Sequence, residues 1–501
     1  MDPSAEHLKL KEQIRRLDNA VLAILVIAAY AFILFQVLDY RMNWQSWDYP
    51  EGYYPRIIQN GPRILLEDIT RIFNAGKVGF LQNPGRVRYF QDLVLFLDAK
   101  TRIWLFNYLP PHPSVSITWI TTLFVAPYFF YKFLRLWSKD RNTAKIAVIV
   151  FMFSTGYLSH INLLCNPGKP LATAIVATAL YFAAKTYVLL SGSGRITTKV
   201  FVNYLLLLSV LFIGFFTDET AWILFVAVPL MVPGLFKIKG TRILSSAIYL
   251  SVFAILMISV IHIAPELISR FTPGNPRINI VSLNLAPSED SAPMSRVWEW
   301  FNLRYFIRST RNLLSSQLVV IGHPWTIFAY MFIVPYLLYI YKKMNPDRKD
   351  LVLRGVAAVF VYIAHQSFGF TSVYYEDGFA ILYPYYYGAL LSIFLAIPIA
   401  VLLSSGASRY TWWINRAILL FVVFVMTHNY YLINKDVRNI AGEFMDYGHL
   451  KKNIALKAWN YRDNPAAIKE LKSRYPRRSP WNYIQEMEIV AEEYERKILR
   501  Q

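Results

Sequence analysis

Acidic side chains lie among aromatic residues shortly after the first long apolar run of the chain. Asp39 follows that run directly, and Asp48 and Glu51 belong to a stretch that also contains Tyr53 and Tyr54. A positioned carboxylate can take a proton from a hydroxyl group. The alternative is that these carboxylates are solvated or salt-bridged, as is usual at an aromatic membrane border.

Arginines provide a second kind of chemistry. Arg86 and Arg88 follow Asn83-Pro84-Gly85 in the same region, and Arg304 and Arg308 belong to a later polar region. Guanidinium groups bind phosphate in bidentate fashion, so anionic headgroups or phosphates are plausible partners. The formal net charge of +20 also includes the usual basic excess of cytoplasmic loops. Nucleic acid does not fit a chain of this composition.

A second acidic element lies between two later apolar runs. It reads Thr217-Asp218-Glu219-Thr220, and Glu219 is a candidate substrate-binding residue. The simpler interpretation is helix capping, with Thr217 or Asp218 at the N-cap of the following helix and Glu219 in its first turn.

The elements that position these residues are membrane spans. Of the 501 residues, 55% are hydrophobic and 17% are charged, which indicates a membrane protein rather than an ordinary soluble one. A bilayer core of roughly 30 Å needs about 20 mostly apolar residues per helix. The runs are long and continuous, so they predict helices rather than barrel strands. The fold class is therefore an all-α polytopic membrane protein of about 11 transmembrane helices, near 21–38, 115–136, 146–164, 170–190, 200–216, 220–236, 243–264, 323–341, 352–370, 384–404 and 416–433.

Basic residues in the short loops predict the orientation, because such loops stay in the cytoplasm. Residues 1–20 are then cytoplasmic and residues 21–433 form the transmembrane domain. The loops 39–113 and 265–322 and the tail 434–501 lie outside the cytoplasm, and the spacing of apolar residues predicts that the tail is helical. A cleaved signal peptide is the competing interpretation of the N-terminus, but no small-residue cleavage site follows Leu38.

The first outer loop also has internal organisation. Apolar and charged residues interleave over 62–73 and again over 89–106, as in helices that lie flat in the membrane interface. Cys165 is the single cysteine, so the outer regions have no intrachain disulfide and must be held by packing.

At these residues the chain resembles a known family, the C-type superfamily of multipass membrane glycosyltransferases. The resemblance lies in Asp48 and Glu51 followed by an aromatic pair and Asn60-Gly61, in the flat helices, and in the Asn83-Pro84-Gly85-Arg86 stretch. Members often carry Lys-Glu and a small residue at a later turn, where this chain has Asp218-Glu219-Thr220-Ala221. The resemblance covers roughly residues 1–400. Two departures stand out: the leading acidic pair is not contiguous, and Asp218 replaces the basic residue.

The resemblance implies transfer of a sugar from a polyprenyl-phosphate donor to a glycan, lipid or protein acceptor on the extracytoplasmic face. Membrane lipids are further partners. The implied general base is Asp48, with Glu51 and Asp39 as alternatives. The implied substrate-binding residues are Arg86, Arg88, Arg304, Arg308, Glu219, Tyr53 and Tyr54. No cofactor is implied, and no cluster of ligands in the outer loops indicates a metal.

Three other functions remain open. A polymerase or ligase of lipid-linked glycans would rely on outer-loop arginines rather than on a first-loop carboxylate. A lipid or glycolipid flippase or transporter would require ionisable residues inside the spans, and Lys185 is the main one. The third function that remains open is that of a noncatalytic assembly scaffold.

Overall fold

The computed structural model describes residues 18–33, 117–161, 168–193, 196–236, 303–320, 325–367, 383–405 and 409–440, together with positions 90, 91, 93, 94, 97, 98, 249, 251, 252, 255 and 466. Over these residues the chain consists of helices and the turns that join them, without a strand.

The helices are numbered along the chain. They are α1 Asp18–Ile33, α2 Ile117–Ile120, a π-helical turn Thr121–Val125, α3 Ala126–Trp137, α4 Arg141–Met152, α5 Thr155–Ile161, α6 Gly168–Ser193, α7 Thr198–Phe215, a 3₁₀ helix Glu219–Ile223, α8 Leu224–Met231, a 3₁₀ helix Pro233–Phe236, α9 Leu303–Leu318, α10 Trp325–Lys343, α11 Pro346–Ser367, α12 Tyr383–Leu403 and α13 Arg409–Ile440.

Several of these helices suit a lipid bilayer. Four long apolar segments could each cross a membrane: α6, α7, α10 and residues Tyr410–Leu432 of α13. Their outer surfaces are apolar too, because α10 exposes Phe328, Met331 and Phe332 at 63%, 64% and 80%. Side chains of this kind are stable when they face lipid. The expected all-helical membrane class is therefore confirmed at this level.

Helices also lie at the predicted spans, apart from 243–264, most of which is outside the described residues. The structure differs from the prediction in continuity. The predicted span 146–164 is two helices, because the chain turns at Phe153 and Ser154 and the Ser154 hydroxyl accepts a hydrogen bond from the Tyr157 N–H at 3.2 Å. The last helix does not end at the predicted boundary of 433 but runs to Ile440.

The chain divides into two compact units. Unit 1 contains residues 1–36, 127–159 and 303–436, and unit 2 contains 37–126, 160–302 and 437–501. In unit 1, α12 packs along α4 and α11, and α9 packs on α11 and α12. The closest approach is between Gly156 of α5 and Gly388 of α12, where a Cβ atom on Gly156 would lie 2.0 Å from the Gly388 carbonyl carbon.

One end of unit 1 carries a layer of polar contacts. Arg348 at the start of α11 donates hydrogen bonds to Asp140 before α4 at 3.0 Å and to Ser405 after α12 at 2.7 Å. Arg416 near the start of α13 forms a buried ion pair with Asp18 at the start of α1, at 2.6 Å. These residues lie at helix ends. The basic residues of the short loops predict that those helix ends share one side of the membrane.

Candidate functional site

The acidic turn of unit 2 connects α7, which packs against α6, to the short helices that follow. Asp218 is fully buried and is the N-cap of the 3₁₀ helix Glu219–Ile223. Its Oδ1 atom accepts hydrogen bonds from the Thr220 N–H at 2.9 Å and the Thr220 hydroxyl at 2.6 Å. Short polar side chains cap helices in this way because they satisfy free backbone N–H groups. The capping role predicted for this turn is therefore confirmed.

The other carboxylate oxygen of Asp218 faces a lysine. Lys169 Nζ lies 3.6 Å from Asp218 Oδ2, and the two side chains are 5% and 0% exposed. Lys169 is the second residue of α6, which begins at Gly168. The positive end of the α6 dipole thus lies beside the same carboxylate and favours its negative charge. Ion pairing and the helix terminus together compensate a charge that burial alone would make costly.

The described positions between 90 and 98, late in the predicted loop 39–113, reach this turn, and we call them the end of the first loop. The Phe90 N–H donates a hydrogen bond to the Phe216 carbonyl oxygen at 2.9 Å. The neighbouring Gln91 is 6% exposed, and its Oε1 atom has no hydrogen-bond partner within the part of the chain that the structure describes. A Cβ atom placed on Gly168 would lie 2.2 Å from Gln91 Oε1 and 2.8 Å from Asp218 Oδ2. Both oxygen atoms therefore crowd the start of α6. We name the group formed by Phe90, Gln91, Gly168, Lys169, Asp218 and Thr220 the Asp218 junction.

The same loop segment is fixed a second time by Asp98. The Asp98 carboxylate accepts hydrogen bonds from the Thr118 hydroxyl at 2.6 Å, from the Thr118 N–H at 3.4 Å and from the Ile117 N–H. It thereby caps α2 from a distance in sequence. Gln91, Val94 and Asp98 are all buried and follow helical spacing. The predicted helix 89–106 is helical at its described positions, and this face packs inside unit 2.

The chemistry open to the Asp218 junction is limited by its burial. Asp218 uses Oδ1 for capping and Oδ2 for the ion pair, and no part of the side chain is exposed. In this conformation it is a poor proton acceptor for a substrate. The arrangement instead holds three segments of the chain in one place.

The arginines predicted at 304 and 308 belong to α9 in unit 1. Helical periodicity puts positions 304, 308 and 311 on one face, and Arg311 is exposed. The buried side chains of this segment occupy the opposite face and are Leu313, Ser316, Gln317 and Val320. The backbone register thus separates an arginine face from a packing face, which the sequence analysis did not anticipate.

Most of the predicted site residues lie outside the described residues. These are Asp39, Asp48, Glu51, Tyr53, Tyr54, Arg86 and Arg88. Of Glu219 the structure describes the backbone, which begins the 3₁₀ helix next to Asp218. Across the described ranges no group of three or more His, Cys, Asp or Glu side chains could hold a metal ion.

The sequence analysis missed Gln91, Gly168 and Lys169 as members of a site. The signal that it left unused was charge: Lys169 directly precedes an apolar run in one turn, and Asp218 stands in the other. Opposite charges at neighbouring ends of two antiparallel spans predict an ion pair, because each charge needs a partner near the bilayer.

Comparisons of the chain with protein-family models, with curated proteins and with solved structures give no match. The functional argument therefore depends on the residues themselves and on their arrangement.

Proposed function

We propose that the protein is an integral membrane glycosyltransferase of the C-type class, which moves a sugar from a polyprenyl-phosphate donor to a glycan, lipid or protein acceptor on the extracytoplasmic face. The observation that carries the proposal is the Asp218 junction, which joins the end of the first loop to the acidic turn. Arg86 and Arg88 directly precede this loop end in sequence, and Glu219 directly follows Asp218. The junction thus ties together segments that carry candidate phosphate-binding and substrate-binding residues.

The proposed reaction has a simple balance. The acceptor hydroxyl oxygen attacks the anomeric carbon of the donor sugar, and the bond from that carbon to the phosphate oxygen breaks. The hydroxyl proton passes to Asp48, with Glu51 and Asp39 as the alternative bases. The leaving group is polyprenyl phosphate, and Arg86 and Arg88 stabilise the charge that develops on it. Arg304 and Arg308 of the α9 arginine face are further candidates for the lipid phosphate.

The proposed topology has about eleven spans, a cytoplasmic N-terminus, residues 21–433 as the membrane domain and an extracytoplasmic tail at 434–501. Contacts in unit 1 support this topology. They join helix ends that the basic residues predict on one side of the membrane, at Asp18, Asp140, Arg348 and Arg416. We expect a reporter fused near Glu492 to be on the same face as one fused near Ile69, because an even number of the predicted spans lies between the two positions. A cysteine-labelling or glycosylation readout on opposite faces would contradict the span count.

The mechanistic prediction concerns Asp48. The change Asp48→Asn keeps the size and hydrogen bonding of the side chain but removes the proton acceptor. Transfer is expected to fall by about 10²-fold or more, while the protein still folds and binds donor lipid. The measurement uses purified protein, a panel of labelled polyprenyl-phosphate sugars and membrane extract as the acceptor source, and follows both transferred label and released lipid phosphate.

Glu51→Gln and Asp39→Asn are the matched controls, because a purely structural carboxylate should affect yield or stability before turnover. Full activity in Asp48→Asn would move the role to another carboxylate, and full activity in all three variants would overturn a first-loop base. The polymerase or ligase alternative predicts that arginine variants lose more activity than these carboxylate variants. A flippase would move intact donor lipid and release no lipid phosphate, and a scaffold would do neither.

A further inference from the structure

The Asp218 junction contains an ion pair beside an amide side chain from another part of the chain. Lys169 Nζ is 3.6 Å from Asp218 Oδ2, and Gln91 Oε1 and Asp218 Oδ2 crowd the same point at Gly168. An ammonium group has three donors, whereas a buried amide oxygen such as Gln91 Oε1 gains by accepting a hydrogen bond. The Gln91 amide oxygen has no hydrogen-bond partner among the described residues, so Gln91 lies against the start of α6 beside the ion pair and is not bonded to Lys169.

The ion pair also controls the turn next to it. Asp218 Oδ1 holds the first turn of the helix Glu219–Ile223 through Thr220. The orientation of the carboxylate is set on its other side by Lys169 and by the start of α6. A change at Lys169 should therefore reach the backbone of Glu219 and the docked loop end at Phe90 and Gln91.

We propose that Lys169 and Asp218 form a positioning pair that docks the end of the first loop onto the acidic turn and so fixes Glu219 and the segment that follows Arg86 and Arg88. The docking role stands on the contacts alone, whereas its effect on sugar transfer rests on the proposed function. Lys169 is a positioning residue and does not contact the reacting atoms. The positive charge beside this turn comes from Lys169 on the neighbouring helix α6 and not from a residue of the turn.

The test uses the full-length protein in lipid nanodiscs and four variants: Asp218→Asn, Lys169→Gln, the double variant with both changes, and the conservative Lys169→Arg. Hydrogen–deuterium exchange is measured in peptides that cover 88–98 and 217–223. Each single neutral variant leaves one buried charge without its partner, so exchange in both peptides is expected to accelerate about tenfold. The double variant should recover part of this protection, and Lys169→Arg should keep most of it.

Asp350→Asn is the matched control, because Asp350 and Arg354 form an ion pair on one helix of unit 1 in which Asp350 is 54% exposed. It should leave both unit 2 peptides unchanged. The proposal is overturned if the single variants leave exchange in 88–98 unchanged, or if they accelerate exchange equally in peptides of unit 1, which would indicate general unfolding. If a single neutral variant is too unstable to purify, Lys169→Arg is compared with the double variant. Exchange in the 88–98 peptide must then be faster in the double variant.

Kinetics distinguishes this proposal from the proposed function. If the wild-type protein transfers sugar, Lys169→Gln should lower kcat about tenfold while the KM for donor lipid changes less than about twofold, as expected when positioning rather than binding is lost. Equal kcat in Lys169→Gln and the wild type would overturn the link to catalysis. If the wild-type protein transfers no sugar from any donor, the proposed function fails, and the exchange measurements still decide the docking role.

Discussion

Replacing Gly156 by alanine is expected to destabilise unit 1 by about 3 kcal/mol or more, because the added methyl group has no room. A Cβ atom at this position would lie 2.0 Å from the carbonyl carbon of Gly388, 2.3 Å from its oxygen and 2.5 Å from the Ala389 nitrogen. All three contacts are with backbone, so no rotamer change relieves them. The α5 and α12 backbones would have to separate, and the close approach of helices through small residues would be lost. The midpoint of thermal unfolding of the purified protein in detergent measures the effect.

Gly192→Ala in the last turn of α6 is the matched control. Nothing lies within 4 Å of a Cβ atom at Gly192, so this change should be neutral or stabilise the helix by less than about 1 kcal/mol. Equal unfolding midpoints for Gly156→Ala and Gly192→Ala would show that the two helices do not approach each other this closely.

The second large effect is expected at the buried ion pair of unit 1. Asp18 accepts hydrogen bonds from Arg416 Nε at 2.6 Å and from Trp412 Nε1 at 3.2 Å, and the Asp18 and Arg416 side chains are 3% and 7% exposed. Asp18→Asn keeps the shape of the side chain but leaves the guanidinium group buried without a counter-charge. Breaking such a pair on one side typically costs about 3–5 kcal/mol. Chemical denaturation in mild detergent, followed by tryptophan fluorescence, measures the loss.

Two further variants make this prediction specific. The double variant Asp18→Asn with Arg416→Met removes both charges and should be more stable than Asp18→Asn alone. Asp350→Asn removes an ion pair with a half-exposed carboxylate, and such pairs contribute at most about 1 kcal/mol. If Asp18→Asn cost no more than Asp350→Asn, the Asp18–Arg416 pair would not be buried as described.

The positions of the helices were predictable because apolar runs of bilayer length leave few alternatives for the backbone. Whether each helix continues through the whole of its apolar run was not predictable. The chain turns at Phe153 and Ser154 inside an apolar run, where a local hydroxyl cap at Ser154 competes with helix continuation. Apolar periodicity does not detect such a cap.

The contacts of the Asp218 junction also differ in whether the sequence predicted them. Capping by Asp218 depends on residues two positions apart, so the sequence predicted it. The contact between Gln91 and the start of α6 joins residues far apart in the chain, and glutamine at an interface carries no distinguishing pattern. In the same way Gly156 and Gly192 look alike in sequence, and they differ only in what lies opposite each of them.

The buried pair of Asp18 and Arg416 has a consequence for biosynthesis. Unit 1 is assembled from three separate stretches of the chain, and residues 37–126 and 160–302 of unit 2 are translated between them. Arg416 emerges 398 residues after Asp18, which at about 5–20 residues per second is a delay of roughly 20–80 s. During that interval the nascent chain holds the Asp18 carboxylate without its guanidinium partner. We therefore expect this end of α1 to reach its buried position only after the last helix has been made.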